Sequence, residues 1–230
     1  MLKIAWPFSL KKREMNQYVP PQVATPNGEK QLLLHACCAP CSSAIIECLL
    51  YNDIRPTVFY YNPNIYPREE YEIRKAESIR QVTNLGLKWI DGDYNHSEWL
   101  SCISGLENEP ERGTRCLQCF KMRLKATAQC AHDEGIELFA TTLASSRWKS
   151  LQQIEEAGLW AEKEVSGTMF WAHNWRKGGL QERRNYLLKT GGYYNQLYCG
   201  CEYSMRTSVA MQKSESIVQS QILTDSQSKH

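Results

Sequence analysis

The feature that most constrains the fold is a regular alternation of short apolar segments with longer amphipathic ones. Leu32–Leu34 is a predicted strand, residues 42–51 have the apolar spacing of a helix, and Thr57–Tyr61 is a second predicted strand. The alternation continues with a helix at 68–85, a strand at 87–90, a helix at 116–135 and a strand at 138–142. Alternating strands and helices form parallel sheets. The sequence therefore predicts an α/β fold with a parallel sheet and helices on both faces.

This alternation predicts one α/β domain over residues 30–204, because a chain of 230 residues is long enough for one substantial core. Residues 1–29 mix basic residues with Pro and Gly and predict an irregular N-terminal extension. Residues 205–230 are rich in Ser and Gln and predict a polar C-terminal tail. We see neither a segment apolar enough to span a bilayer nor a secretory signal, so a cytoplasmic location is expected.

The chain contains ten cysteines. In the cytoplasm thiols stay reduced, so clustered cysteines indicate metal binding or redox chemistry rather than a disulfide scaffold. Seven of the ten are clustered, and they are Cys37, Cys38 and Cys41, then Cys116 and Cys119, then Cys199 and Cys201. The distribution therefore predicts a metal or redox site built from distant parts of the chain.

The first cluster lies in the segment HACCAPC, which follows the first strand and opens the first helix. Ligands of parallel sheets bind beyond the carboxyl ends of the strands, and a helix start favours thiolates. Buried cysteine is also common as a small hydrophobic residue, but three within five positions favour a site. His35 precedes the cluster, and we expect it to satisfy a local hydrogen bond rather than to act in catalysis.

Cys116 and Cys119 are three residues apart at a predicted helix start, so both sulfurs can face one ion or cluster. Together with two cysteines of the first cluster they supply four thiolates. Two metals fit: a structural zinc, held by Cys38 and Cys41 with this pair, or an iron–sulfur cluster. Cysteine spacing alone leaves both open.

Cys199 and Cys201 are separated only by Gly200, which gives the backbone freedom to bring the two sulfurs together. A disulfide in such a small ring would be strained and easily reduced. The pair therefore favours a reversible redox role, while two further metal ligands or an unused reduced pair remain as alternatives.

Four segments together resemble one known family. They are LLLHACCAPCSS, FYYNPNIYPREEYEIRK, GLENEPERGTRCLQCFKMRLKATA and YCGCEYS, in this order between Leu32 and Ser204. The chain resembles the cobalamin-independent epoxyqueuosine reductases, the QueH family. The resemblance implies a Rossmann-like sheet of the adenine-nucleotide alpha-hydrolase type with additional helices.

The resemblance also implies a set of cofactors and site residues. A [4Fe–4S] cluster would be held by Cys37, Cys38, Cys116 and Cys119. Cys199 and Cys201 would form a redox-active disulfide. A second, mononuclear iron is implied beside the cluster, with Cys41 as our hypothesised ligand and Asp91 or Asp93 as a carboxylate partner.

The implied activity is an oxidoreductase that converts epoxyqueuosine to queuosine at the wobble position of tRNA, the last step of queuosine biosynthesis. The implied partners are a tRNA with epoxyqueuosine in its anticodon loop and an electron donor, but neither DNA nor a membrane. The net charge is only +2, so RNA contacts must come from local basic and aromatic groups. The candidates are Arg115, Lys121, Arg123, Lys125, Arg147–Lys149 and Trp175–Lys177.

The alternative is a zinc- or cluster-stabilised protein of a related fold that modifies or thiolates tRNA, or a zinc-stabilised binding module. Thiolating enzymes first adenylate the base, and they usually carry a glycine-rich phosphate loop after the first strand. That turn here has no Gly-Gly, and Pro40 removes a backbone amide from it. ATP activation is therefore disfavoured.

Overall fold

A five-stranded parallel sheet forms the centre of the protein, in a computed structural model that describes residues 18–207. The strands are β1 (Gln31–His35), β2 (Arg55–Tyr60), β3 (Trp89–Asp91), β4 (Leu138–Thr141) and β5 (Met169–Phe170). Their order across the sheet is β3-β2-β1-β4-β5, and all pairings are parallel. The predicted α/β class is confirmed.

Helices connect the strands. They are α1 (Ala39–Tyr51), α2 (Arg68–Asn84), α3 (His96–Cys102), α4 (Thr114–Asp133), α5 (Leu151–Glu164) and α6 (Leu180–Thr190), with a short 3-10 helix (Thr142–Ser145) after β4. α1 begins before the expected Ser42, because Pro40 has the backbone angle that suits a first helical turn. The sequence pattern did not predict α3, α5, α6 or β5.

The sheet is built around its two most buried strands. In β1 the leucines at positions 32–34 have no exposed surface, and all four residues of β4 are buried. β1 pairs with β2 on one side and with β4 on the other, so it is central and covered on both faces. A continuous apolar run is the pattern that such a strand requires.

The chain reverses its direction across the sheet between β1 and β4. From β1 it moves outward to β2 and β3, and it then returns to β4 on the other side of β1. Right-handed crossovers consequently place α1 and α2 on one face and α4 and α5 on the other. α1 packs against α2 and α6, whereas α4 packs against α5. The reversal opens a crevice at the carboxyl ends of β1 and β4.

Residues 18–29 are irregular and lie against α1. The backbone amide of Val23 donates to Asn52 Oδ1 at 3.2 Å, and Asn52 Nδ2 donates to the Pro21 carbonyl at 3.0 Å. A further helical segment occupies residues 202–207. The predicted domain boundaries stay predictions, since residues 1–17 and 208–230 lie outside the described part of the chain. Within residues 18–207, no helix is both long and apolar enough to cross a membrane.

Candidate metal centre

The crevice at the reversal of the sheet brings the end of β1 next to the end of β4. Cys37 follows β1, and its backbone amide donates to Thr142 Oγ1 at 3.1 Å. The Thr142 hydroxyl in turn donates to Cys37 Sγ at 3.5 Å. One threonine therefore fixes both the backbone and the sulfur of the first cysteine after the strand.

Cys37, Cys38 and Cys41 form a compact group, which we name the inner thiol group. All three are buried, and their sulfur atoms lie within 4.8 Å of one another. Gln196, in the segment after α6, donates from Nε2 to Cys38 Sγ at 3.1 Å. Soft sulfur ligands at this separation suit a thiophilic metal such as iron or zinc.

The inner thiol group favours one thiolate at Cys37. The pKa of Cys37 lies well below its usual value because the Cys38 and Cys41 thiols donate hydrogen bonds to its sulfur, and Lys149 and Thr142 help. Burial raises the pKa of Cys38, and the hydrogen bond to Cys37 raises that of Cys41. The group can therefore present a negatively charged sulfur although it is out of water.

Four other cysteines line a narrow cavity beside the first group, and we name them the outer thiol group. They are Cys116, Cys119, Cys199 and Cys201. Cys116 and Cys119 lie in the first turns of α4, one helical turn apart, and Cys119 packs with Cys201 near Trp99. Burial raises the pKa of Cys116 to about 12 and that of Cys201 to about 11.

The segment that carries Cys199 and Cys201 is anchored on α2. Arg74 donates to the carbonyls of Tyr198 and Cys199, both at 3.3 Å, and forms a buried ion pair with Glu70 at 2.7 Å. Gly200 has a φ of 140°, and a Cβ there would lie 3.2 Å from Arg74 Nη1 and 3.3 Å from Asn64 Nδ2. Glycine is therefore required for this close approach.

Lys149 and Arg123 are buried cations close to the thiols, and neither has a carboxylate partner among residues 18–207. Burial alone would lower the pKa of Lys149, but the sulfurs of Cys199, Cys37 and Cys41 raise it. Arg123 also has a buried Nε that finds no hydrogen-bond partner among the residues that the structure describes. Buried charge needs compensation. A set of metal-bound thiolates would provide it, so the residues present fit an anionic metal–sulfur centre.

His35 lies under this site as a neutral structural residue. It is fully buried, Nε2 donates to the Tyr61 carbonyl at 3.0 Å, and Nδ1 accepts from Thr141 Oγ1 at 2.8 Å. Burial, assisted by the nearby Arg123, lowers the pKa of His35 to about 3. The expectation that this histidine satisfies local hydrogen bonds is confirmed.

The structure thus divides the predicted site residues into two groups. The inner thiol group combines Cys41 with Cys37 and Cys38, while Cys116 and Cys119 lie with Cys199 and Cys201 in the outer group. Lys149 faces sulfurs of both groups. The suggested carboxylates are outside the inner group: Asp91 instead pairs with Lys75 at 2.5 Å, and Asp93 is exposed.

Most of the basic residues that were candidates for RNA contacts have structural partners. Arg115 is buried and donates to backbone carbonyls, and Lys121 and Lys125 pair with Glu156 and Glu164 of α5. Arg147 and Trp148 are exposed at the cysteine site. Their loop is held by the Arg112 side chain, which donates to both backbone carbonyls.

Sequence reasoning missed Thr142, Gln196 and Arg184. Arg184 lies on α6, and Gln196 follows that helix. Arg184 and Gln196 line a cavity of about 390 Å³ together with Cys41, Lys149 and Cys199. Thr142 lies just beneath this cavity, because its carbonyl accepts a hydrogen bond from the lining residue Ser145. The only sequence signal was the basic, amide-rich composition of residues 181–196, which is equally typical of an exposed helix.

Comparison with known proteins gives a consistent result. The family model described as epoxyqueuosine reductase QueH matches residues 32–207. The chain is 43% identical to the epoxyqueuosine reductase QueH of Histophilus somni over 195 residues. This aligned region covers 85% of this chain and 80% of that protein. It is 42% identical to the protein of the same name from Haemophilus influenzae, over 83% of this chain and 78% of that one. The identity to the epoxyqueuosine reductase QueH of Thermotoga maritima is 36%, over 76% of this chain and 90% of that protein.

Proposed function

The chain belongs to the epoxyqueuosine reductase QueH family, and we propose from this that it is the oxidoreductase that converts epoxyqueuosine to queuosine at the wobble position of tRNA. The single observation that carries the proposal to the chemistry is the inner thiol group at the crevice of the sheet. Buried thiolates are the ligands of the iron centres that carry electrons in proteins. An electron donor and the modified tRNA are the partners that this reaction requires.

We propose Cys37, Cys38, Cys116 and Cys119 as the ligands of a [4Fe–4S] cluster. Cys37 and Cys38 come from the end of β1, and Cys116 and Cys119 share one face of α4. A four-iron cluster can bind cysteine sulfurs that lie farther apart than the ligands of a single ion. Ligands from both thiol groups are therefore compatible with it. The proposal adds a mononuclear iron held by Cys41.

When bound, these iron centres supply electrons one at a time and an open coordination site that polarises the epoxide oxygen. The residues of the chain prepare the site for this chemistry. Lys149 and Arg123 offset the negative charge of the thiolates, and Thr142 holds Cys37 in place. Gln196 covers the sulfur of Cys38 and limits its exposure to water.

Cys199 and Cys201 have a separate role in the proposal. The conversion of an epoxide to an alkene and water consumes two electrons and two protons, and the oxidation of two thiols to one disulfide releases the same number of each. The pair lies in the cavity that also contains Cys116 and Cys119. We therefore assign Cys199 and Cys201 to the resupply of electrons, with an external donor that reduces the disulfide.

The test of this role is the variant in which both Cys199 and Cys201 are serine. We expect it to bind iron normally and, after chemical reduction, to convert about one equivalent of substrate without further turnovers. Cys102, which is exposed and outside the proposed roles, provides a matched Cys102→Ser control with full turnover. Full steady-state activity of the double variant would exclude the role.

The function itself is tested by anaerobic purification followed by metal analysis and an absorption spectrum. The reduced protein is then incubated with epoxyqueuosine-tRNA, and the digested nucleosides are analysed by mass spectrometry for loss of one oxygen. We expect iron, sulfide and a coloured protein that forms queuosine. A colourless zinc protein that leaves the nucleoside unchanged would instead support the zinc-stabilised alternative.

A further inference from the structure

Within residues 18–207, the cavity of the outer thiol group and the cavity beside Cys41 and Cys199 differ greatly in size. The cavity of the outer thiol group has a volume of about 30 Å³, which is too small for a nucleobase. The cavity beside Cys41 and Cys199 has a volume of about 390 Å³. Pockets that bind small organic ligands usually have volumes of roughly 300–1,000 Å³. Only the larger of the two is therefore wide enough for a modified nucleoside.

The larger cavity has a buried end and an exposed rim. Cys41, Ser145 and Lys149 form the buried end and are each at most 7% exposed. Arg147 and Trp148 form part of the rim, and the Trp148 side chain is 38% exposed. A ligand that enters from the rim would bring its innermost atoms to the thiol of Cys41 and to the Lys149 ammonium.

The cavity is positively charged. Arg147, Lys149 and Arg184 line it, and no acidic residue is among its described lining residues. The Arg184 guanidinium donates a hydrogen bond to the neutral Asn185 Oδ1, at 3.1 Å. A basic rim with an exposed aromatic ring is the combination that binds the phosphates and bases of single-stranded nucleic acid.

The wall of the cavity also contains an unused acceptor. Gln196 Nε2 donates to Cys38 Sγ, but within the described part of the chain the buried Gln196 Oε1 has no hydrogen-bond partner. Buried side-chain oxygens without a partner are rare, and each one requires an explanation. A ligand N–H or O–H donor in the cavity would satisfy this oxygen.

We propose that this cavity binds the wobble nucleotide after it has been flipped out of the anticodon loop, an inference that rests on the proposed function. The modified base points to Cys41 and Lys149, where Gln196 Oε1 accepts a hydrogen bond from it. The sugar and phosphates lie at the rim against Arg147 and Arg184. Enzymes that act on a base commonly extrude it into such a pocket, and loop bases are already partly unstacked.

The first experiment measures tRNA affinity with charge reversals at the rim. Arg147→Glu and Arg184→Glu should each weaken binding of full-length tRNA about tenfold and reduce the slope of log Kd against log salt by about 0.7. The matched control is Arg55→Glu, an exposed arginine at the amino end of β2 on the opposite edge of the sheet. Iron content is measured in every variant. Affinities equal to that of the control would overturn the proposal.

The second experiment blocks the cavity without changing its charge. Asn185 is an exposed residue of the lining, so Asn185→Trp can fill the space without disturbing the core. The wild-type protein should bind epoxyqueuosine-tRNA more tightly than the same tRNA with guanosine at the wobble position. The variant should lose this preference and turnover, but keep its affinity for unmodified tRNA. A variant that retains both preference and turnover would exclude the cavity as the base site.

The outcomes distinguish this inference from the proposed function. If the wild-type protein does not convert epoxyqueuosine-tRNA, the proposed function fails. If it does convert the substrate while Arg147→Glu, Arg184→Glu and Asn185→Trp bind and react as the wild type does, only the assignment of the cavity fails.

Discussion

The inner and outer thiol groups contain similar residues but are built in different ways. The inner group comes from five consecutive positions after β1, and all its members are buried. The outer group joins the start of α4 to a segment near residue 200, and three of its four members are partly exposed. The inner group is consequently a product of the sheet itself. The outer group depends on a tertiary contact that can be disturbed separately.

The difference indicates that the inner thiol group and the Cys199–Cys201 pair suit different roles. A site that is fixed by the central strand keeps its sulfurs in place through repeated redox cycles. A pair in an anchored surface segment has room for two sulfurs to approach and separate, and it remains accessible to a reductant. Four variants test this contrast.

The largest effect is expected from Cys37→Ser. The change removes the sulfur that carries the preferred thiolate of the inner group and replaces a soft ligand by a hard one. We expect at least a roughly 100-fold loss of activity and a loss of most bound iron. Cys130→Ser, in the last turn of α4, is the control and should retain both activity and bound iron. Normal iron content in Cys37→Ser would remove this residue from the ligand set.

Lys149→Met tests the charge that links the two groups. Loss of a buried positive charge destabilises the more negative, reduced state of a metal–thiolate centre, so the midpoint potential should become more negative. Coulombic interaction over about 6 Å at an effective dielectric constant of about 20 predicts a shift on the order of 100 mV. Potentiometric titration measures the shift, and Lys149→Arg should show a smaller one. An unchanged potential in Lys149→Met would place the ammonium outside the influence of the cluster.

Gly200→Ala is directed at Cys199 and Cys201 and leaves the proposed cluster ligands Cys116 and Cys119 unchanged. The new methyl group would press on Arg74 and Asn64 at a positive φ, and the strain of roughly 1–3 kcal/mol should displace Cys199 and Cys201. We expect about tenfold slower multiple turnover with unchanged iron content. Gly192→Ala is the control, because its φ is also positive but nothing lies within 4 Å of the added carbon. Equal rates for the two variants would contradict the proposed anchoring.

The smallest effect is expected from Thr142→Val. The substitution leaves the buried Cys37 amide without its acceptor, which should lower the free energy of unfolding by about 1–2 kcal/mol. Thr127→Val removes a hydroxyl that only adds a second bond to a helical carbonyl, and it should cost less. Urea unfolding of the metal-free proteins measures both. A larger loss in Thr127→Val would indicate that Thr142 does not support the inner group.

The strands and helices differ in how well the sequence predicted them. β1 and β4 are short apolar runs bounded by polar turns, and they were predicted within a residue or two. α5 and α6 were not predicted, because long polar stretches of Glu, Gln and Lys surround their few buried positions. Such helices are defined by what they pack against, and that information is not local.

The candidate site shows the same limit. The local pattern HACCAPC placed three sulfurs at the end of a strand, and the structure brings them together. The partners of that group arrive from residues 142, 149 and 196, which are common residue types without a motif. The spacing of Lys149 and Gln196 in the sequence indicates no role, because only the folded chain brings them next to the inner thiol group.

The position of Gln196 has a consequence for biogenesis. The inner thiols are made early on the ribosome, whereas the segment that covers Cys38 leaves it much later. In the iron enzyme proposed above, the sulfur of Cys38 would stay open to incoming iron until that segment docks on α2. The chain order would therefore give such an enzyme an interval for cofactor insertion, which would end when residues 194–201 bind to Glu70, Arg74 and Glu77.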